Sequence, residues 1–156
     1  MTDNEKFMRR AIEISKKNIE NGGGPFGAVI VKDGKIIAES GNSVTKTIDP
    51  TAHAEVNAIR LAAKELGDFD LSGCEIYSSC EPCPMCLGAI YWARIDKLYF
   101  AADKKDAEYG GFSDKFIYDE LELDYSQRSL KTKQICHDEA KKVFDYWLNY
   151  ENKTPY

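Results

Sequence analysis

His53 and Glu55 stand two residues apart, and Cys83 and Cys86 stand three apart further along the chain. Imidazole and thiolate are the nitrogen and sulfur donors that zinc takes in tetrahedral sites, and three protein donors leave a fourth position for water. At i and i+3, Cys83 and Cys86 place both sulfurs on one face of the first turn of a helix opened by Pro82, where the dipole and free N–H groups favour thiolates. His53 falls in the first turn of a second helix. Two such helices side by side on one sheet face bring their N-terminal ends to a single ion. Glu55 lies about 200° round from His53 on an ideal helix, but in a first turn it can still face the same cleft. A carboxylate next to a metal-activated water is a general base. A lone C-x-x-C also fits a redox pair or two packed thiols, and a fourth protein ligand would make the site structural. The combination is read as a catalytic site for one zinc per chain, held by His53, Cys83 and Cys86, with Glu55 as its proton carrier.

The elements that must carry these residues follow from periodicity and punctuation. Phe7, Ala11 and Ile14 recur at helical spacing, so residues 3–21 are expected to be a helix ended by Gly22-Gly23-Gly24-Pro25. Residues 26–31 read as a strand, Asp33-Gly34 as a hairpin turn, and residues 36–40 as the return strand. Residues 44–48 read as polar loop. Asp49 is expected to cap a helix with Pro50 at its first position, running to Leu66. Residues 75–79 form a short strand, Pro82 opens the helix through Trp92, and residues 97–102 form a buried strand. Residues 103–115 read as a mobile loop and residues 116–122 as one or two helical turns. Gln134 and Ile135 mark a last strand, and Val143, Phe144, Trp147 and Leu148 a final amphipathic helix. Strands alternating with helices imply an α/β helix/sheet/helix sandwich.

With 156 residues, 43% of them hydrophobic and 30% charged, the chain has the size and composition of one globular domain, 1–156, with 151–156 as a tail. No apolar run reaches the length of a membrane span, and the polar start Met1 to Lys6 is not a secretory leader, so a cytoplasmic location is expected. The formal charge is −5, without the basic footprint of a protein that clamps long nucleic acid. Five cysteines without an export signal point to a metal site or free thiols rather than disulfides. Cys136 and His137 are read as structural, and Cys74 and Cys80 as buried or semi-buried thiols outside the ligand set.

The order H-x-E, then P-C-x-x-C, is the signature of zinc nucleobase deaminases. Thr51-Ala52-His53-Ala54-Glu55 and Cys80-Glu81-Pro82-Cys83-Pro84-Met85-Cys86-Leu87-Gly88-Ala89-Ile90 resemble the cytidine-deaminase-like superfamily in its purine-deaminating branch. Gly24-Pro25-Phe26-Gly27-Ala28-Val29-Ile30-Val31, Ala89-Ile90-Tyr91-Trp92-Ala93-Arg94 and Gly111-Phe112-Ser113-Asp114 resemble small bacterial guanine deaminases. The likeness covers nearly the whole chain. It implies a three-layer sandwich around a mixed five-stranded sheet, and a homodimer with exchanged C-terminal segments. It also implies zinc-dependent hydrolysis of the 2-amino group of guanine, a small purine base, giving xanthine and ammonia. Asp114 matches the acid that serves the departing amine, although a loop carboxylate in an acidic stretch is by itself usually solvated. Asn42 matches a base-binding amide. Phe26 and Phe112 are expected to sandwich the ring or to pack in the core, and Ala54 to offer its backbone N–H. The resemblance places Tyr156 over an active site of the partner subunit, with Pro155 standing where the family leads one to expect a charged residue.

A tRNA adenosine deaminase and a cytosine deaminase share the zinc motif and are the enzymatic alternatives. A non-catalytic zinc module is a third, opposed by Glu55. Residues 119–156 carry eight acids against six bases, which disfavours a phosphate-rich partner.

Overall fold

Thr2 closes a capping box with Glu5: the Glu5 N–H donates to Thr2 Oγ1 and the Thr2 N–H to Glu5 Oε2. That device starts α1, Asp3–Glu20. The computed structural model describes residues 1–156, and the rest of the order is as follows. Strands β1, Gly27–Lys32, and β2, Lys35–Gly41, form an antiparallel hairpin. Its turn places Asp33 and Gly34 at φ of 50° and 73°, the positive values that favour Asp-Gly there. Then come α2, Val44–Thr47, α3, Ala54–Leu66, β3, Cys74–Cys80, α4, Pro84–Trp92, and β4, Lys97–Ala102. Three further helices follow: α5, Lys104–Tyr109, α6, Asp114–Leu121, and α7, His137–Asn149.

The sheet order is β2-β1-β3-β4, antiparallel except for the parallel pair β3–β4. Alternation along β1 divides the core. Ala28 and Ile30 face Ala54, Ala58 and Ala62 of α3 and Ile90 of α4. Val29 and Val31 face Phe7 and Ala11 of α1, with Tyr77 of β3. Helices therefore cover both faces, as the sandwich requires. By internal contacts the chain forms two units, Met1–Tyr118 and Asp119–Tyr156. In the second, no residue is buried. It contains a short 3₁₀ turn, Tyr125–Gln127, and Arg128 there donates to the carbonyls of Glu120 and Leu123.

Several expectations are corrected. The sheet has four strands, not five: Gln134 and Ile135 are exposed, irregular backbone between Lys133 and the start of α7. As a result β4 is an edge strand and not a buried one, with Phe100 45% exposed. The helix expected from Pro50 begins only at Ala54, because Asp49 instead accepts from the Thr51 N–H and Oγ1–H at 2.8 and 2.7 Å. This Asx turn competes with helix initiation. The helix expected from Pro82 begins at Pro84, with Cys83 as its N-cap. Residues 44–47 are a short helix rather than loop. The expected mobile loop over 103–115 holds α5, started by a second capping box between Asp103 and Asp106, and the first residues of α6.

Candidate active site

Both ligand-bearing segments enter their helices through extended backbone. His53 is the N-cap of α3 at φ −69° and ψ 157°, and Cys83 the N-cap of α4 at φ −64° and ψ 167°. Neither lies inside a first turn, so each side chain projects from the mouth of its helix. His53 Nδ1 lies 3.5 Å from Cys83 Sγ and 3.4 Å from Cys86 Sγ. The three ligand atoms lie within 4.8 Å of one another. A tetrahedral zinc with Zn–N near 2.0–2.1 Å and Zn–S near 2.3 Å requires an N···S edge of about 3.5 Å. Two soft thiols and one imidazole at that spacing fit zinc, and Cys80 is not among the candidate ligands. Its sulfur faces the Asp103 carbonyl at 3.7 Å, and burial pushes its thiol up to about 12.

The electrostatics favour a cation at this point. The hydrogen bond from Cys86, and then His53, push the Cys83 thiol down to about 4. Cys86 is shifted up by its bond to Cys83 and by burial, so the pair readily holds negative charge on Cys83. The Cys83 sulfur in turn raises the pKa of His53.

Glu55 is 5% exposed, and Ser78 Oγ donates to its Oε1 at 2.8 Å. Burial raises its carboxyl above the ordinary range. It faces a cavity of ≈ 370 Å³, also lined by His53, Cys83 and Asp114. That volume sits at the small end of ligand pockets, ~300–1,000 Å³. Asp114, the first residue of α6, is half-buried, and burial followed by the charge of Cys83 raises its pKa. One contact places α6 beside the cysteine turn: Tyr118 Oη donates to the Pro82 carbonyl at 2.7 Å. On the Tyr118 ring, Lys104 Nζ of α5 lies 4.7 Å from the centroid.

The cavity is also lined by Asn42, the Gly22-Gly23-Gly24 turn, Phe26 and Phe112. Asn42 Oδ1 accepts from the Gly24 N–H at 2.8 Å and from Asn18 Nδ2 at 2.7 Å. Phe26 and Phe112 meet edge to face with centroids 4.7 Å apart. They touch one another, so no base fits between them as placed, and the pair makes one wall rather than a sandwich. Ala54 is wholly buried at the first position of α3 and is no part of the cavity wall. Its N–H is a helix-start donor without a partner in the helix's own ladder. Tyr156 belongs to the second unit and is exposed.

Two supporting residues escape sequence reasoning. Ser78 anchors Glu55 from β3. Asn57 Nδ2 donates to the Gly41 and Ala52 carbonyls and to Ser43 Oγ at 3.1–3.3 Å, which pins the loop carrying Asn42 and His53 to α3. No local signal marks either one, because each acts across the fold. Glu81, beside the cysteine turn, also lines the cavity.

Comparison with known proteins agrees with this geometry. The cytidine and deoxycytidylate deaminase zinc-binding region matches residues 1–102. The chain is 50% identical to a guanine deaminase of Bacillus subtilis over 155 residues, 99% of each chain. It is 43% identical to a tRNA-specific adenosine deaminase of Aquifex aeolicus over 78% of this chain and 80% of that one. Among solved structures, guanine deaminase from Bacillus subtilis matches with a TM-score of 0.94 at 51% identity, over 97% of this chain and 98% of that one. With its three metal ligands and buried glutamate in the positions the motif requires, the chain belongs to the zinc-binding cytidine and deoxycytidylate deaminase family.

Proposed function

We propose that this protein is a zinc-dependent aminohydrolase that converts guanine and water to xanthine and ammonia. The observation that carries the substrate is the likeness to guanine deaminase, which extends over 99% of both chains. The likeness to the Aquifex tRNA-specific adenosine deaminase covers 78% of this chain. The acidic balance of residues 119–156 also disfavours RNA.

His53, Cys83 and Cys86 hold the zinc. When bound, zinc supplies the Lewis acidity that lets water attack at neutral pH. Glu55, fixed by Ser78 beside the ligands, takes a proton from the attacking water and delivers it to a ring nitrogen next to C2. The new C–O bond forms at C2 first. The remaining proton of that oxygen then passes to the exocyclic amine as the C–N bond breaks and C2 becomes a carbonyl carbon. Asp114, on the same cavity, supports protonation of the departing amine, which leaves as ammonia. Asn42 binds the base edge, and the Phe26–Phe112 pair flanks the ring.

The whole chain, 1–156, acts as one deaminase domain within a homodimer in the cytoplasm. Three features support the dimer. Residues 119–156 bury nothing, β4 has an open edge, and α4, apolar on every side, exposes Tyr91 at 76% and Trp92 at 71%. A helix hydrophobic all round belongs in an interior. The segments exchange between subunits, so that residues 151–156, ending in Tyr156, close the partner's cavity and exclude water. Ammonia release from guanine, adenine, cytosine and a tRNA anticodon stem-loop tests the substrate: guanine is turned over fastest. Inosine formation in the stem-loop with guanine inert would assign the site to tRNA instead.

A further inference from the structure

The carboxamide of Asn42 has one end fixed and one end open. Its oxygen accepts twice, from the Gly24 N–H at 2.8 Å and from Asn18 Nδ2 at 2.7 Å. A backbone N–H can only donate, so the end of Asn42 that faces Gly24 must be the oxygen. The orientation of Asn18 is equally determined. Its nitrogen meets two backbone carbonyls, Gly24 O at 2.8 Å and Asn42 O at 3.0 Å, which accept only from a donor. Turning the Asn42 amide over would set its NH₂ against both donors. The surroundings are close-fitted. A Cβ on Gly23 or Gly41 would come within 2.4 Å of the Asn18 side chain, and one on Gly24 within 2.9 Å of Asn42 Nδ2. Asn42 lines the cavity, and its Nδ2 has no protein acceptor, so the group it offers a ligand is a donor.

We propose that Asn18, which does not line the cavity, is a positioning residue: it locks the Asn42 carboxamide oxygen inward. The site thereby reads a lone-pair-bearing edge of the purine, a ring nitrogen or a carbonyl oxygen, through the Asn42 N–H donors. This inference rests on the purine reading above. Each hydrogen bond that holds the amide is worth about 2- to 10-fold in affinity. The effect of Asn18 passes entirely through Asn42, so it vanishes when Asn42 is removed.

The test uses hypoxanthine, which keeps the ring nitrogens and carbonyl oxygen of guanine but has no amine to lose. Its dissociation constant is measured by calorimetry on zinc-loaded protein, for wild type, Asn18→Leu, Gly24→Ala and Asn42→Ala, and for the first two combined with Asn42→Ala. Gly24→Ala sets a Cβ 2.9 Å from Asn42 Nδ2 and so disturbs the same amide directly, which keeps the test alive if Asn18→Leu does not fold. Each single change is expected to weaken binding by about 2- to 10-fold, and neither to add anything on the Asn42→Ala background. With guanine, the Asn18→Leu loss falls on KM more than on kcat, as expected for an interaction kept through the reaction. Equal losses on both backgrounds, no loss at all, or no hypoxanthine binding by wild type would overturn the proposal. Vanishing losses without ammonia release from guanine would leave the positioning standing and remove the proposed activity. Ammonia release with additive losses would do the reverse.

Discussion

Helices α1 and α7 carry the same kind of apolar stripe and meet opposite fates. In residues 1–118, α1 buries Phe7 and Ala11 against Val29, Val31 and Tyr77. In residues 119–156, α7 buries nothing, and Phe144 is 69% exposed. Amphipathic periodicity announces that a helix has a face to hide, but not what hides it. The first region supplies its own cover, a sheet with apolar clusters on both sides. It can therefore hold a catalytic constellation rigid, because the ligand-bearing helix starts rest on that core. The second region has an outer face and no interior, so on the proposed reading its order depends on a second copy.

The sharpest way to break this contrast is at the metal. Cys86→Ala should lose zinc and reduce turnover of guanine by more than the ~10³-fold typical of losing a single polar donor. The rest of the first region should keep its fold, since its two clusters hold no metal ligand. Metal content and far-UV circular dichroism check both halves of that statement. If the variant keeps zinc, the site is not the one formed by His53, Cys83 and Cys86.

Next in size is the proton carrier. Glu55→Gln should keep zinc while lowering turnover by at least ~10²-fold. It also provides a probe of the second region. Deleting residues 152–156 should lower turnover by roughly tenfold, the scale of one or two lost contacts. Mixing the deleted protein with Glu55→Gln should then restore part of the activity, because one heterodimeric site combines Glu55 with a donated tail. A deletion protein with wild-type rate would show that the tail takes no part. A mixture no more active than its deleted component alone would show that the tail serves its own subunit.

How much of this was legible in the sequence depends on the reach of each interaction. The ligands were, because H-x-E and P-C-x-x-C are local patterns with one chemistry in common. The hairpin turn at Asp33-Gly34 was too, through its positive φ demand. The starts of α3 and α4 were misread, because Asp49 spends its carboxylate on Thr51 and because the ligands themselves occupy the N-caps. The helix α5 was missed, although Asp103 and Asp106, three apart, form a capping box. The roles of Asn18, Asn57 and Ser78 were not legible at all. Each pairs with groups from another element, and spacing along one chain does not encode that.

A third perturbation acts on the face of α7 alone. Phe144→Asp should convert a dimer to monomers in sedimentation or light scattering, since a charge in a desolvated apolar interface is strongly disfavoured. The melting of the first region should change little. An unchanged oligomeric state would remove α7 from the interface and leave the exposed face of α4 as its centre.

The smallest expected effect lies on the outside of the first region, where Arg10 forks onto Glu39, with Nε–Oε2 at 2.9 Å and Nη2–Oε1 at 2.6 Å. This bidentate pair links α1 to β2 and looks strong. The Arg10 hydrogen bond holds the Glu39 carboxyl below its ordinary value of 4.5. Both side chains, however, are more than a third exposed, and water screens them. Glu39→Gln should therefore cost at most ~1 kcal/mol at neutral pH in urea unfolding. The direction of the pH dependence is fixed by the lowered pKa. A carboxylate more acidic in the folded than in the unfolded state stabilises the fold above the unfolded value. That contribution fades as the pH drops below 4.5 and through the lower folded value. Wild type and Glu39→Gln should accordingly differ most near neutrality and converge in acid. A loss well above ~2 kcal/mol, or one that persists in acid, would mean that this surface link shares the role assigned here to the two buried clusters. The contrast between the regions would then rest on more than their interiors.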